Sequence, residues 1–138
     1  METIRGEAIK ELIPQRDPMI MIDAFYDATE SEAVAGFTIC EKNLFCENGF
    51  FTEAGLIEHI AQSASAFAGY KAKVADKPTP IGFLGEVRKC RINFLPRAGD
   101  ELRTHIRTLT EVNSITLLEA ETTVNGKTVV QCQMKIKT

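Results

Sequence analysis

Apolar residues recur along this chain with two periods, and the switches between them lay out its elements. From Glu53 to Ala68 the residues Leu56, Ile57, Ile60, Ala61, Ala64, Phe67 and Ala68 form a stripe at three-and-four spacing, the signature of a helix. The stripe is wide and its neighbours are small, so little of this helix can face water. Thr52 is an N-cap candidate, with Glu53 at the positive end of the helix dipole. The helix is predicted to run to about Lys73, roughly 30 Å for some 20 residues.

Elsewhere the pattern is that of strands. Met19 to Tyr26 is rich in strand formers, and Ala33 to Cys40 alternates around Ala33, Ala35, Phe37 and Ile39. Beyond a Pro-rich piece, Asp76 to Pro80, come Ile81 to Leu95, Glu101 to Val112, Ile115 to Val124 and Thr128 to Lys137. Asn125-Gly126 predicts a type I′ hairpin between the last two, and Pro96 to Asp100 supplies an earlier turn. A short amphipathic helix is expected from about Ile4 to Leu12, with Ala8, Ile9 and Leu12 on one side and Pro14 and Pro18 ending it. Glu41 to Phe51 reads as a loop. The order is a short helix, two strands, one long helix, then four strands in a meander. One long helix among so many strands predicts an α+β fold, an antiparallel sheet wrapped around that central helix. Exposed sheet edges favour dimerisation by sheet extension.

Within the helix, Glu58 and Gln62 lie four apart and share one face. The positions where an intrahelical cation would sit hold Ala54 and Gln62, so no i,i+4 ion pair is available to Glu58. Glu58 is then either a solvated glutamate or the acid of a polar pocket cut into a core helix. In the second case desolvation would raise its pKa and suit it to proton donation near neutral pH.

Composition narrows the picture further. At 138 residues and 44% hydrophobic content, the chain fits one domain over residues 1–138, large enough to bury a core without staples. A net charge of -3 with 25% charged residues shows no global bias toward nucleic acid or anionic lipid. No apolar run approaches membrane-span length and the first residues lack signal-peptide order, so a cytoplasmic protein without nucleic-acid or membrane partners is expected. Cys40, Cys46, Cys90 and Cys132 form no CxxC pair and no cluster with His59 and His105. Reduced thiols are expected, and neither metal nor cofactor is implied.

Three segments together resemble a known family. Glu11-Leu12-Ile13-Pro14-Gln15-Arg16-Asp17-Pro18-Met19-Ile20-Met21-Ile22-Asp23 is similar to the opening "L-P-H-R-x-P-x-L-x-V-D" of the β-hydroxyacyl-ACP dehydratases. Glu58-His59-Ile60-Ala61-Gln62 resembles their helix motif "E-x-x-A-Q", and Arg97-Ala98-Gly99-Asp100 their "P-G-D" turn. The resemblance implies the hot-dog fold and binding of an acyl thioester on acyl carrier protein or coenzyme A. It also implies a dimer in which the helix glutamate works with a histidine from an "H-F-P-G" loop across the interface. Glu58 takes the glutamate's place and Gln62 that of the helix glutamine. The loop departs from the pattern: Cys46-Glu47-Asn48-Gly49-Phe50-Phe51-Thr52-Glu53 is shorter and has no histidine. Similar shortened loops belong to dehydratase-like proteins of aryl-polyene and related pigment pathways, within the wider class of fatty-acid dehydratases.

Dehydration of a 3-hydroxyacyl thioester needs a base for the C2 proton, an acid for the departing hydroxyl and donors for the thioester oxygen. Glu58 is the candidate acid, and backbone N–H groups around Gly55 at the helix start are candidate donors. Asn48, Gly49, Phe51, Gly55 and Gln62 are the expected substrate-binding residues. His59 is the remaining candidate for catalysis, although it points about 100° away from Glu58 around the helix, which suits a hydrogen-bonded histidine at a dimer seam equally well. His105 alternates with Arg103 and Arg107 on a strand face expected to be solvated. Arg88, Lys89, Arg91 and Arg97, with Lys71 and Lys73, form either a carrier-protein footprint or an ordinary charged face. Phe50, Phe51 and Phe67 line an acyl tunnel or simply fill the core. Without the loop histidine the chain would be degenerate alone, or the non-catalytic half of a heterodimer whose partner subunit supplies the histidine; the expected assembly is a homodimer or a heterodimer with a related hot-dog subunit. The alternatives are an acyl-ACP or acyl-CoA thioesterase, in which Glu58 activates water, and a non-catalytic acyl- or partner-binding module.

Overall fold

A computed structural model describes residues 1–138. Nine strands run β1 (Ile4–Arg5), β2 (Ala24–Ala28), β3 (Glu32–Thr38), β4 (Cys46–Glu47), β5 (Phe50–Phe51), β6 (Phe83–Ile92), β7 (Glu101–Val112), β8 (Ile115–Val124) and β9 (Lys127–Lys137). Helix α1, Glu53–Val74, enters between β5 and β6. Seven strands form one antiparallel sheet in the order β1-β2-β3-β7-β8-β9-β6, and β4-β5 is a separate ribbon. The sheet holds α1 against β2, β3 and β7, so the expected sheet around one helix is what forms.

The period-two pattern explains which face of the sheet meets the helix. Along β7, Leu102, Thr104 and Ile106 are buried while Arg103, His105 and Arg107 are exposed. Helix α1 starts where expected, with the Thr52 side chain accepting from the Gly55 N–H, and it buries Leu56, Ile60, Ala64 and Phe67. The Asn125-Gly126 turn takes positive φ at both residues, as a type I′ hairpin requires. Asn48-Gly49 does the same between β4 and β5, inside the stretch read as a loop.

Three elements differ from expectation. The N-terminal helix is a 3-10 helix, Gly6–Glu11, preceded by the two-residue β1. Three residues per turn align Ile9 with Leu12, both buried, and leave Ala8 exposed. The strand expected from Met19 begins only at Ala24. The last four strands are not a simple meander: β7 returns to pair with β3, while β6 lies beyond β9 at the sheet edge.

Close approach of the N-terminal segment to α1 depends on Gly69. A Cβ built there would stand 1.9 Å from the Leu12 carbonyl oxygen, a backbone atom that cannot swing aside. Gly69→Ala is therefore expected to destabilise the fold by about 2 kcal/mol despite alanine's better helix propensity. A lowered urea midpoint with an unchanged slope is the measurement that checks it.

Candidate active site

The stretch Met19 to Ile22, outside the sheet, is held by side chains of α1. Gln62 Oε1 accepts from the Met21 N–H at 2.6 Å, and Gln62 Nε2 donates to the Met19 carbonyl at 2.7 Å. The same Nε2 donates to Glu58 Oε2 at 2.6 Å. Met21 N can only donate and the Met19 carbonyl can only accept, so the orientation of the buried amide follows from its partners. Gln62 serves the backbone of Met19 and Met21 as a neighbouring strand would, and Asp23 rejoins the sheet by donating its N–H to the Gly36 carbonyl. It also fixes the Glu58 carboxyl: Oε2 is taken, and Oε1 has no protein partner.

His59 turns the other way, into the core, and is fully buried. Its Nδ1 lies 2.7 Å from the Met21 carbonyl and its Nε2 2.7 Å from Thr104 Oγ1. Thr104 Oγ1 is in turn 2.7 Å from Thr122 Oγ1 on β8. The carbonyl can only accept, so Nδ1 carries the proton. Burial lowers the His59 pKa to about 4, partly opposed by the Met21 hydrogen bond. The ring is thus neutral, Nε2 accepts from Thr104, and Thr104 accepts from Thr122. The earlier expectation of a catalytic His59 gives way to a structural role, because neither ring nitrogen is available to a substrate.

Glu58 lines an open groove of about 210 Å³ with Gln15, Ala61, Ser65, Phe83 and Leu84 among its walls. An adjoining cavity of about 230 Å³ shares Ala64, Ala68, Pro80, Ile136 and Thr138 and continues along α1 to Lys71. The groove opens beside the free edge of β6, where Phe83 is 68% and Leu84 43% exposed. The other expected site residues lie elsewhere. Asn48 and Gly49 form the exposed tip of the β4-β5 ribbon, whose Gly49 carbonyl accepts from Ala98 N–H and whose Phe51 N–H donates to Pro96. Phe51 is a core residue 6.0 Å from Phe37, ring to ring. Gly55 gives its N–H to Thr52 Oγ1 at 3.4 Å and leaves room for Phe51 and Phe45, which a Cβ would strike. Of the predicted set, only Gln62 bonds to Glu58.

The cationic side chains are partly neutralised. Arg88 and Lys135 flank Glu86, Lys73 reaches Glu11, and Arg97 and Lys71 lie over the rings of Phe50 and Phe67. His105 sits on the outer face, 2.8 Å from Glu32. Sequence reasoning missed Thr104 and Thr122, whose inward positions in the period-two pattern were legible, and Gln15, which stands at the histidine of the L-P-H-R pattern.

A sheet curled around one helix, with that helix's carboxylate set in a cleft, is the arrangement of a hot-dog protein of the 3-hydroxyacyl-ACP dehydratase type. Residues 7–138 match the model of the ApeP-like family, described as ApeP dehydratase, and the chain belongs to that family. It is 28% identical over 134 residues to the 3-hydroxyacyl-[acyl-carrier-protein] dehydratase FabZ of Bacillus cytotoxicus, covering 93% of this chain and 91% of that protein. Among solved structures it is similar to a chain of the dehydratase heterocomplex ApeI:P from Xenorhabdus doucetiae, with a TM-score of 0.88, 17% identity, and 94% and 89% of the two chains covered. A hypothetical thioesterase protein from Streptococcus pneumoniae, solved with coenzyme A, shares the fold at a TM-score of 0.64, with 9% identity and 82% of each chain covered. No helix is long and apolar enough to cross a membrane.

Proposed function

We propose that this chain, a single hot-dog domain over residues 1–138, is the glutamate-bearing subunit of a cytoplasmic 3-hydroxyacyl-ACP dehydratase. A second hot-dog subunit supplies the base. One observation carries this reading: Glu58 stands in the groove, and neither of the chain's two histidines can reach it, since His59 is locked in the core and His105 lies on the outer sheet face. A dehydratase acid is present and its imidazole base is not.

In this reading the base takes the C2 proton of the thioester, the C3–O bond breaks, and Glu58 delivers its proton to the departing oxygen, which leaves as water. Gln62 holds Oε2, so Oε1 is the oxygen that passes the proton. The acyl tail lies along Ala61, Ala64 and Ala68, where small side chains leave room for it. The free edge of β6, with Phe83 and Leu84 beside the groove, is where a second subunit would extend the sheet and close the cleft. The ApeI:P dehydratase, a neighbour in fold, is a heterocomplex, which supports a partner of a different chain over a second copy. The shortened, histidine-free loop supports aryl-polyene or related acyl substrates.

The test is to incubate the purified chain with 3-hydroxyacyl-ACP, alone and with a histidine-bearing hot-dog subunit, and follow the enoyl product. Turnover is expected only in the mixture. Robust turnover by this chain alone would overturn the divided site, and release of free thiol without enoyl product would mark a thioesterase.

A further inference from the structure

Gln15 carries the one buried side-chain polar atom in the protein without a hydrogen-bond partner, its carboxamide oxygen Oε1. A buried acceptor left unmade costs about 1–3 kcal/mol, and in a native fold it calls for an explanation. Gln15 is also part of the wall of the Glu58 groove. The contrast with Gln62 is plain, since that amide spends both its oxygen and its nitrogen on protein partners.

The backbone that presents Gln15 is fixed rather than loose. Arg16 Nη1 donates to the carbonyls of Ile13 at 2.8 Å and Gln15 at 2.7 Å, and Nη2 donates to that of Lys10 at 3.1 Å. Pro14 restricts the chain just before it. On that fixed backbone the Gln15 amide itself makes no side-chain hydrogen bond, so its unmet oxygen is free to turn into the groove of the acid and meet a ligand.

We propose that Gln15 is a substrate-binding residue that reads the 3-hydroxyl group, accepting its O–H at Oε1 while Glu58 addresses the same oxygen with a proton. The inference rests on the dehydratase reading and extends it. A hydroxyl both donates and accepts, so one oxygen can serve both contacts at once. As the C3–O bond breaks and the oxygen takes up the Glu58 proton, the leaving group becomes water. The original O–H grows more acidic on the way, and its bond to Gln15 strengthens. A saturated acyl chain lacks that O–H and leaves Oε1 unpaired, so the same residue discriminates substrate from its 3-deoxy analogue.

The experiment titrates 3-hydroxydecanoyl-pantetheine and decanoyl-pantetheine against the full chain in its native assembly, comparing wild type with Gln15→Leu. Wild type is expected to favour the hydroxylated ligand by about tenfold, and the variant to lose that preference while binding decanoyl-pantetheine within about twofold of wild type. Equal weakening toward both ligands would overturn the proposal, reducing Gln15 to a wall of the groove. A wild type that binds both ligands equally would overturn it as well. Failure of wild type to bind either thioester would instead remove the dehydratase reading, and this inference with it.

Discussion

Glu58→Gln is expected to lower dehydratase turnover of the assembled enzyme by about 10²–10⁴-fold, the range attached to losing one positioned acid. The substitution is close to isosteric and should leave the fold intact. Gln62 Nε2 donates to Glu58 Oε2, and an amide oxygen in the same place can accept that bond as a carboxylate does. What the amide lacks is a proton to release from the other oxygen position. The effect should therefore fall on kcat with little change in KM, because the groove wall keeps its shape and the ground state loses no required contact. Single-turnover kinetics with 3-hydroxyacyl-ACP, beside a thermal melt of both proteins, measures the two sides of the claim. A loss of less than about fivefold with an unchanged melt would mean that position 58 is not the acid.

The pairing of Glu58 with Gln62 was legible because helix period alone puts the two on one face. Strand β7 was equally legible, its period-two pattern giving both ends as they occur. The fate of Met19 to Asp23 was not, since nothing local says that a run of strand formers will bond to a glutamine and a histidine more than thirty residues away. Propensity described the extended backbone correctly and could not name its partner. The place of β6 was hidden for a related reason: pairing order is decided by which edges the long connections can reach, not by any strand's own residues. Asn48-Gly49 carries the same turn signal as Asn125-Gly126 but is flanked by two-residue strands too short to show alternation. The free oxygen of Gln15 exists only in three dimensions, because a residue's unmet bonds cannot be seen until all its neighbours are placed.

His59 should make the protein sensitive to mild acid, and the sign follows from the direction of its shift. Its folded pKa is lowered to about 4 from the ordinary 6.5, so the native state holds the ring neutral while the unfolded chain protonates it. Above pH 6.5 both states are neutral and the contribution is fully present. As pH falls below 6.5 the unfolded state binds the additional proton, and stability drops until the folded ring titrates as well, near pH 4. Across that window the loss approaches about 3 kcal/mol, a large fraction of the 5–15 kcal/mol that holds an ordinary domain together. His59→Leu removes the titration, so its stability measured against wild type should converge on the wild-type value as pH falls toward 4. At pH 7.5 the variant should be the weaker protein by about 3 kcal/mol, because the Met21 carbonyl and the Thr104 hydroxyl lose their partner in a closed interior. Urea unfolding of both proteins at half-unit pH steps isolates the histidine, since the carboxylates titrating below pH 5 are common to the two and cancel in the difference. A difference independent of pH between 7.5 and 4.5 would show that the ring exchanges protons freely in the native state, and the neutral, twice-bonded His59 at the centre of this core would have to be abandoned.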